Sequence, residues 1–231
     1  MSATHVGAYW GSRRESAQDC AHRLQCLLQR LSVIDRGYEQ WFTLGHSKAT
    51  ASEPVRTDTE HLANLLIRGR ARRDVNNHTI DPLGFRIDFW NRQDAGIRFG
   101  ASLGSYSEHQ GILNTVVIGL PKYAEAAELY EQVNAVRVVS ALIDTMGPSW
   151  VTWTTDHWRQ AQQERKPAVV HAVGWVTYLG ESVTAQNCPG HSDLFSPGDS
   201  RVVLAVQDYS TVTDETILDL RRTLIEAGML H

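Results

Sequence analysis

Residues 84–90 read GFRIDFW, and their alternation fixes the fold class. Phe85, Ile87 and Phe89 fall on one side of an extended chain, while Arg86, Asp88 and Trp90 fall on the other, as a strand with one buried face requires. After a short polar connection, Ile97, Phe99 and Ala101 repeat the period. Residues 84–104 therefore read as an antiparallel hairpin. A third strand is expected over Asn114–Leu120. Upstream, residues 5–13 read as a strand ending at Gly11. Ser16 follows as a helix cap with Asp19 three positions on. Cys20, Leu24, Leu27, Leu28, Leu31 and Ile34 then lay one apolar stripe along a helix that must pack on a sheet.

Gln40–Leu44 reads as a short strand and Lys48–Val55 as a loop. Thr57 and Glu60 have capping-box spacing before a second helix carrying Leu62, Leu65 and Leu66, which Gly69 can end. Downstream of the third strand, Pro121 opens a long helix running to Met146, with Val133, Val136, Leu142 and Ile143 at helical spacing and Gly147-Pro148 as its stop. Trp150–Thr155 reads as a strand, Asp156–Arg165 as a short polar helix and His171–Leu179 as a long strand. Glu181–Ser200 is loop-like, Arg201–Gln207 is a strand, and a last helix holds Ile217, Leu220, Leu224 and Ile225 up to Gly228. The expected class is α+β, a mostly antiparallel sheet with helices packed on it. A single domain over 1–231 is expected; strand, turn, helix and tryptophan-bearing strand recur at 5–44 and 114–155, suggesting similar halves, 1–110 and 111–231.

The chain has 231 residues, a net charge of −4 and a pI near 6.2, which disfavours wrapping a nucleic-acid backbone. No basic leader with an apolar core and no bilayer-length apolar window is present, so the expected location is the cytoplasm. Cys20, Cys26 and Cys188 are an odd set, the first two too far apart along a helix for a disulfide.

Chemistry is sparse. Cys188, His191 and Asp193 share a Gly/Pro-rich loop, but a structural metal site calls for a second close-spaced pair, so neither metal nor cofactor is expected. Asp156, Glu164 and Lys166 imitate a nuclease D…E-x-K pattern, yet Glu164 and Lys166 fall at a helix end before Pro167, where alternate residues do not share a side. Phosphate-loop, dinucleotide and nucleophile-elbow patterns are absent from the sequence. Arg68, Arg70, Arg72 and Arg73 invite an RNA-binding reading; cations complementing a helix C-terminus are the simpler one. Of the seven tryptophans, most fall in strands and should be core. Trp158, on a polar helix, is expected to be exposed and available to a partner.

Several short motifs in order, Tyr9-Trp10-Gly11, Arg14-Glu15-Ser16, Cys20-Ala21, Leu65-Leu66 with Gly69-Arg70, Gly84-Phe85 with Trp90-Asn91, and residues 174–179 (GWVTYL), resemble the immunity protein 52 family. The resemblance implies an α+β immunity protein of bacterial polymorphic-toxin systems, including those served by type VI secretion, whose partners commonly carry a restriction-endonuclease-like fold. It implies no catalytic residues, and the shared motifs read as scaffold.

On that basis the expected partner is a cognate toxin, a nuclease, blocked sterically and electrostatically, with carboxylates mimicking phosphate. The expected contacts are Tyr106, Glu108 and His109, then Asp156 and Trp158, then Glu181, Asp193 and Asp199. The rivals are a small-molecule enzyme using Asp156, His157 and His171, and an RNA-binding module using the 68–73 arginines.

Overall fold

The computed structural model describes residues 3–44, 53–75, 78–94, 96–107, 114–165, 171–180, 202–205 and 208–230. Among the described residues eight strands form one sheet in the order β2-β3-β4-β5-β1-β6-β7-β8, and every neighbouring pair is antiparallel. They are β1 (Thr4–Trp10), β2 (Phe42–Thr43), β3 (Phe85–Trp90), β4 (Arg98–Leu103), β5 (Asn114–Leu120), β6 (Trp150–Thr155), β7 (Val176–Leu179) and β8 (Val202–Ala205). Among the described residues five α-helices accompany them: α1 (Ala17–Ser32), α2 (Thr59–Arg68), α3 (Gln132–Met146), α4 (Asp156–Arg165) and α5 (Asp214–Glu226). The class is α+β, as the two periods in the sequence predict.

The register explains how two cores arise. Val6 lies opposite Ile118 and Trp153, and Ala8 opposite Val116 and Val151, so these side chains share one face. That face meets Leu24, Leu28 and Leu31 of α1, Leu62 and Leu66 of α2, and Val138, Val139 and Leu142 of α3 in the main core. Tyr9 and Trp150, also opposite each other, point to the other face and stack at 4.4 Å. There they join Val173, Leu179, and Leu220 and Leu224 of α5 in a second cluster. Strand β6 is thus buried on both sides, which accounts for its unbroken apolar and threonine composition.

Three boundaries depart from the sequence reading. The segment after Pro121 is not one helix: 3-10 turns at Tyr123–Glu125 and Ala127–Tyr130 precede α3. Tyr130 is the reason. Its hydroxyl donates to the Pro121 carbonyl and its ring packs on Trp153, Trp175 and Tyr209, a placement that diverts the backbone from α-geometry. The buried stripe of α3 consequently runs through Ala135, Val138, Val139, Leu142 and Met146, leaving Val133 exposed. Helix α2 is capped by Asp58, whose side chain accepts from His61 N at 2.9 Å, while Thr57 lies outside the helix. Of His171–Leu179 only Val176–Leu179 pairs as a strand; the His171 ring sits edge-on to Trp150.

Candidate functional site

Strand β1 orders the molecule into two ends. At its first residue, Thr4 faces Leu120 and Thr155, so the 121–131 segment, the start of α4 and the start of α5 gather there. Asp156 N donates to the Ala3 carbonyl at 3.0 Å, and its side chain, 51% exposed, lies 3.3 Å from Arg159 and 3.9 Å from His5. His157 Nε2 sits 2.7 Å from Asp214 and pins α4 to the first turn of α5. Burial lowers the pKa of His5, which the Asp156 carboxylate only partly offsets. Tyr209 packs against Tyr123, Tyr130 and Trp175, leaving Tyr123 at the rim with 39% of its surface open. The segments that meet here carry the exposed residues Glu125, Glu128, Glu131, Asp156, Asp208, Asp214 and Glu215, of which Glu125, Asp156 and Asp214 pair with Lys122, Arg159 and His157. A groove of about 410 Å³ between Asp35, Gln93, Glu125 and Glu128 continues the surface. Glu128, Glu131, Asp208 and Glu215 have no ion-pair partner among the described residues and can receive cations.

The other end is built differently. Asn114, fully buried, accepts from Ser105 N and donates to the carbonyls of Ser105 and Gly11, locking the turn after β4 to the end of β1. Arg13 N donates to Ser105 O, and Tyr106 N to Pro82 O. Gly84 and Gly104 both adopt positive φ, at 67° and 70°, which allows the two turns to touch. These constraints fix two aromatic platforms: the Arg14 guanidinium lies 4.9 Å over the Tyr106 ring, and that of Arg70 lies 5.1 Å over Phe85. Both arginines line a cleft of about 540 Å³ at the start of α1, together with Glu15, Asp19, Asp81 and Tyr106.

The structure therefore separates residues that sequence reasoning grouped. Tyr106 and Asp156 lie at opposite ends of a seven-residue strand, about 20 Å apart along its axis. Trp158 requires a correction: it is only 7% exposed and packed on Tyr209 at 5.8 Å, so it belongs to the core and is not the exposed side chain that its polar helix predicts. Glu108, His109, Glu181, Asp193 and Asp199, with Cys188, His191 and Lys166, lie outside the described residues. Asp156, His157 and His171 do not converge, because His171 sits at the first residue of β6 and Asp156 just past its last. Of the arginine run, only Arg68 belongs to the last turn of α2; Arg70 and Arg72 form bridges to Phe85 and Thr79. The aromatic seating of Arg14 and Arg70 escaped the sequence, since neither platform is a chain neighbour of its arginine.

Among the described residues no helix is long and apolar enough to cross a membrane, and no group of three or more His, Cys, Asp or Glu could hold a metal ion. An antiparallel sheet with helices against both faces defines the α+β scaffold on which these two ends are built. The chain belongs to the immunity protein 52 family, which matches residues 2–191. A solved Pseudomonas aeruginosa T6SS protein, PA0821, shares the fold: 13% identity, 97% of this chain and 73% of that chain covered, TM-score 0.53. No curated protein matches the sequence.

Proposed function

We propose that the protein is the immunity partner of a secreted toxin, a nuclease, which it neutralises by stoichiometric binding over the active cleft. The observation that carries this reading is the family match across residues 2–191. The solved T6SS protein of the same fold is consistent with delivery of the toxin by type VI secretion.

The nuclease part rests on charge. A nuclease must present cationic groups to bind phosphates, so its cleft is complementary to a surface that carries carboxylates around an aromatic ridge. The end bearing Asp156, Glu128, Glu215 and Tyr123 has that composition. Tyr123 would supply packed contact area, and the carboxylates would steer association. Mixing the protein with the toxin encoded beside it tests the reading: a one-to-one complex and loss of toxin nuclease activity are expected. Combined Asp156→Lys, Glu128→Lys and Glu215→Lys should slow association at least tenfold at low salt and flatten its salt dependence. A complex forming at the unaltered rate removes this surface from the account.

A further inference from the structure

The cleft at the start of α1 has a feature the acidic end does not explain. Neither Arg14 nor Arg70 has a carboxylate within ion-pair distance among the described residues, although Arg13 and Arg23 beside them both bind Glu15, at 2.9 and 2.7 Å. Each is instead seated on an aromatic face, with Arg14 exposed and Arg70 half-buried. A guanidinium held this way has already lost much of its rotamer freedom and keeps its planar fork of donors free, the arrangement that favours bidentate capture of a carboxylate. The platforms are rigid. Phe85 starts β3, pairs with Leu103 of β4 and is packed on Gly104, and the turn preceding Tyr106 is held by the three bonds of Asn114.

We infer that this cleft is a carboxylate clamp: Arg14 and Arg70 receive acidic side chains from a segment of the bound protein partner. Three carboxylates, Glu15, Asp19 and Asp81, line the same cleft. Glu15 is already neutralised by Arg13 and Arg23, so Asp19 and Asp81 remain, and they oppose a dense anion such as a continuous phosphodiester more strongly than a segment with spaced carboxylates. Asp19 stays ionised well into the acid range because the Ser16 hydroxyl and amide hydrogen-bond to it. The two ends of β1 thus present opposite preferences, cations at Asp156 and carboxylates at Arg14, and a polar partner could bind in one orientation only. Assigning the segment to the toxin rests on the function proposed above; the carboxylate chemistry does not.

The test uses the full chain and a fluorescein-labelled octapeptide of alternating glutamate and glycine, followed by anisotropy. The wild-type protein should bind it, R14Q/R70Q should bind at least tenfold more weakly with an unchanged melting temperature, and R14K/R70K should fall between. Absence of binding by the wild type, equal binding by R14Q/R70Q, or displacement of the peptide by an equimolar single-stranded oligonucleotide would overturn the clamp. Peptide capture by a protein that forms no complex with the neighbouring toxin leaves the clamp standing and defeats the immunity reading instead.

Discussion

Asn114 and Gly11 stand 103 positions apart in the chain, yet the Asn114 side-chain amide donates to the Gly11 carbonyl at 2.6 Å. That bond and the two to Ser105 satisfy a fully buried amide and join β1, β4 and β5 where the cleft begins. Removing it leaves buried backbone groups without partners. Asn114→Ala is expected to cost about 2–4 kcal/mol in urea unfolding, from several lost bonds at about 1 kcal/mol each plus desolvation of the groups left behind. Asn114→Asp should cost a similar amount, because a carboxylate cannot donate. A loss below about 0.5 kcal/mol for both would show that the turn is held by other means.

Gly84 offers an independent check on the same corner. At φ 67° and ψ −138°, an added Cβ would come within 2.2 Å of the Leu103 carbonyl. Gly84→Ala should therefore destabilise the fold by at least roughly 1–3 kcal/mol through backbone strain alone. Peptide binding at Arg14 and Arg70 should weaken with it, since Phe85 is the adjacent residue. Unchanged unfolding midpoints would contradict the left-handed geometry.

Trp158 separates stability from binding. Because it is buried against Tyr209, Trp158→Ala should lower stability by about 3–5 kcal/mol, the range for large aromatic truncations in cores. Toxin affinity measured on the remaining folded fraction should stay close to wild type. A stable variant with lost affinity would restore Trp158 to the interface.

What the sequence made legible was periodic. The hairpin of β3 and β4 and the stripe of α1 are local patterns, and the Ser16–Asp19 capping box forms as its spacing predicts. What it hid was tertiary. Trp158 is surrounded in sequence by polar residues, and its burial depends on Tyr209, far along the chain. Residues 121–131 carry a helix-initiating proline, but Tyr130 is held by Pro121 and three distant aromatic rings. The candidate site was half legible for the same reason. Asp156 and Tyr106 could be named as polar positions at element ends, whereas their separation follows from β1 lying between β5 and β6, and Arg14 and Arg70 gain meaning only from the rings beneath them.

His5 and Cys20 contribute to the pH response in opposite senses. Burial lowers the pKa of His5, so the unfolded chain binds a proton that the folded one resists. His5 therefore contributes full stability above pH about 6.5, and that contribution falls as the solution is acidified below it. Cys20 behaves oppositely: burial pushes its thiol up to about 12, so its contribution is complete below pH about 9 and declines between 9 and 12. His5→Asn should flatten the acid limb of the stability curve. At pH 8 iodoacetamide should modify the half-buried Cys26 of the folded protein well before Cys20, which peptide mapping would resolve. Equal labelling of the two would contradict the packing of α1.

An immunity protein of this kind is expected to occupy its toxin without transforming it. Titrating the purified protein into the neighbouring toxin while following cleavage of a labelled nucleic acid addresses it most directly. Activity is predicted to fall linearly to zero at one equivalent, with both proteins recovered intact as a complex. Undiminished cleavage at several equivalents, or loss of activity accompanied by covalent change in the toxin, would contradict it.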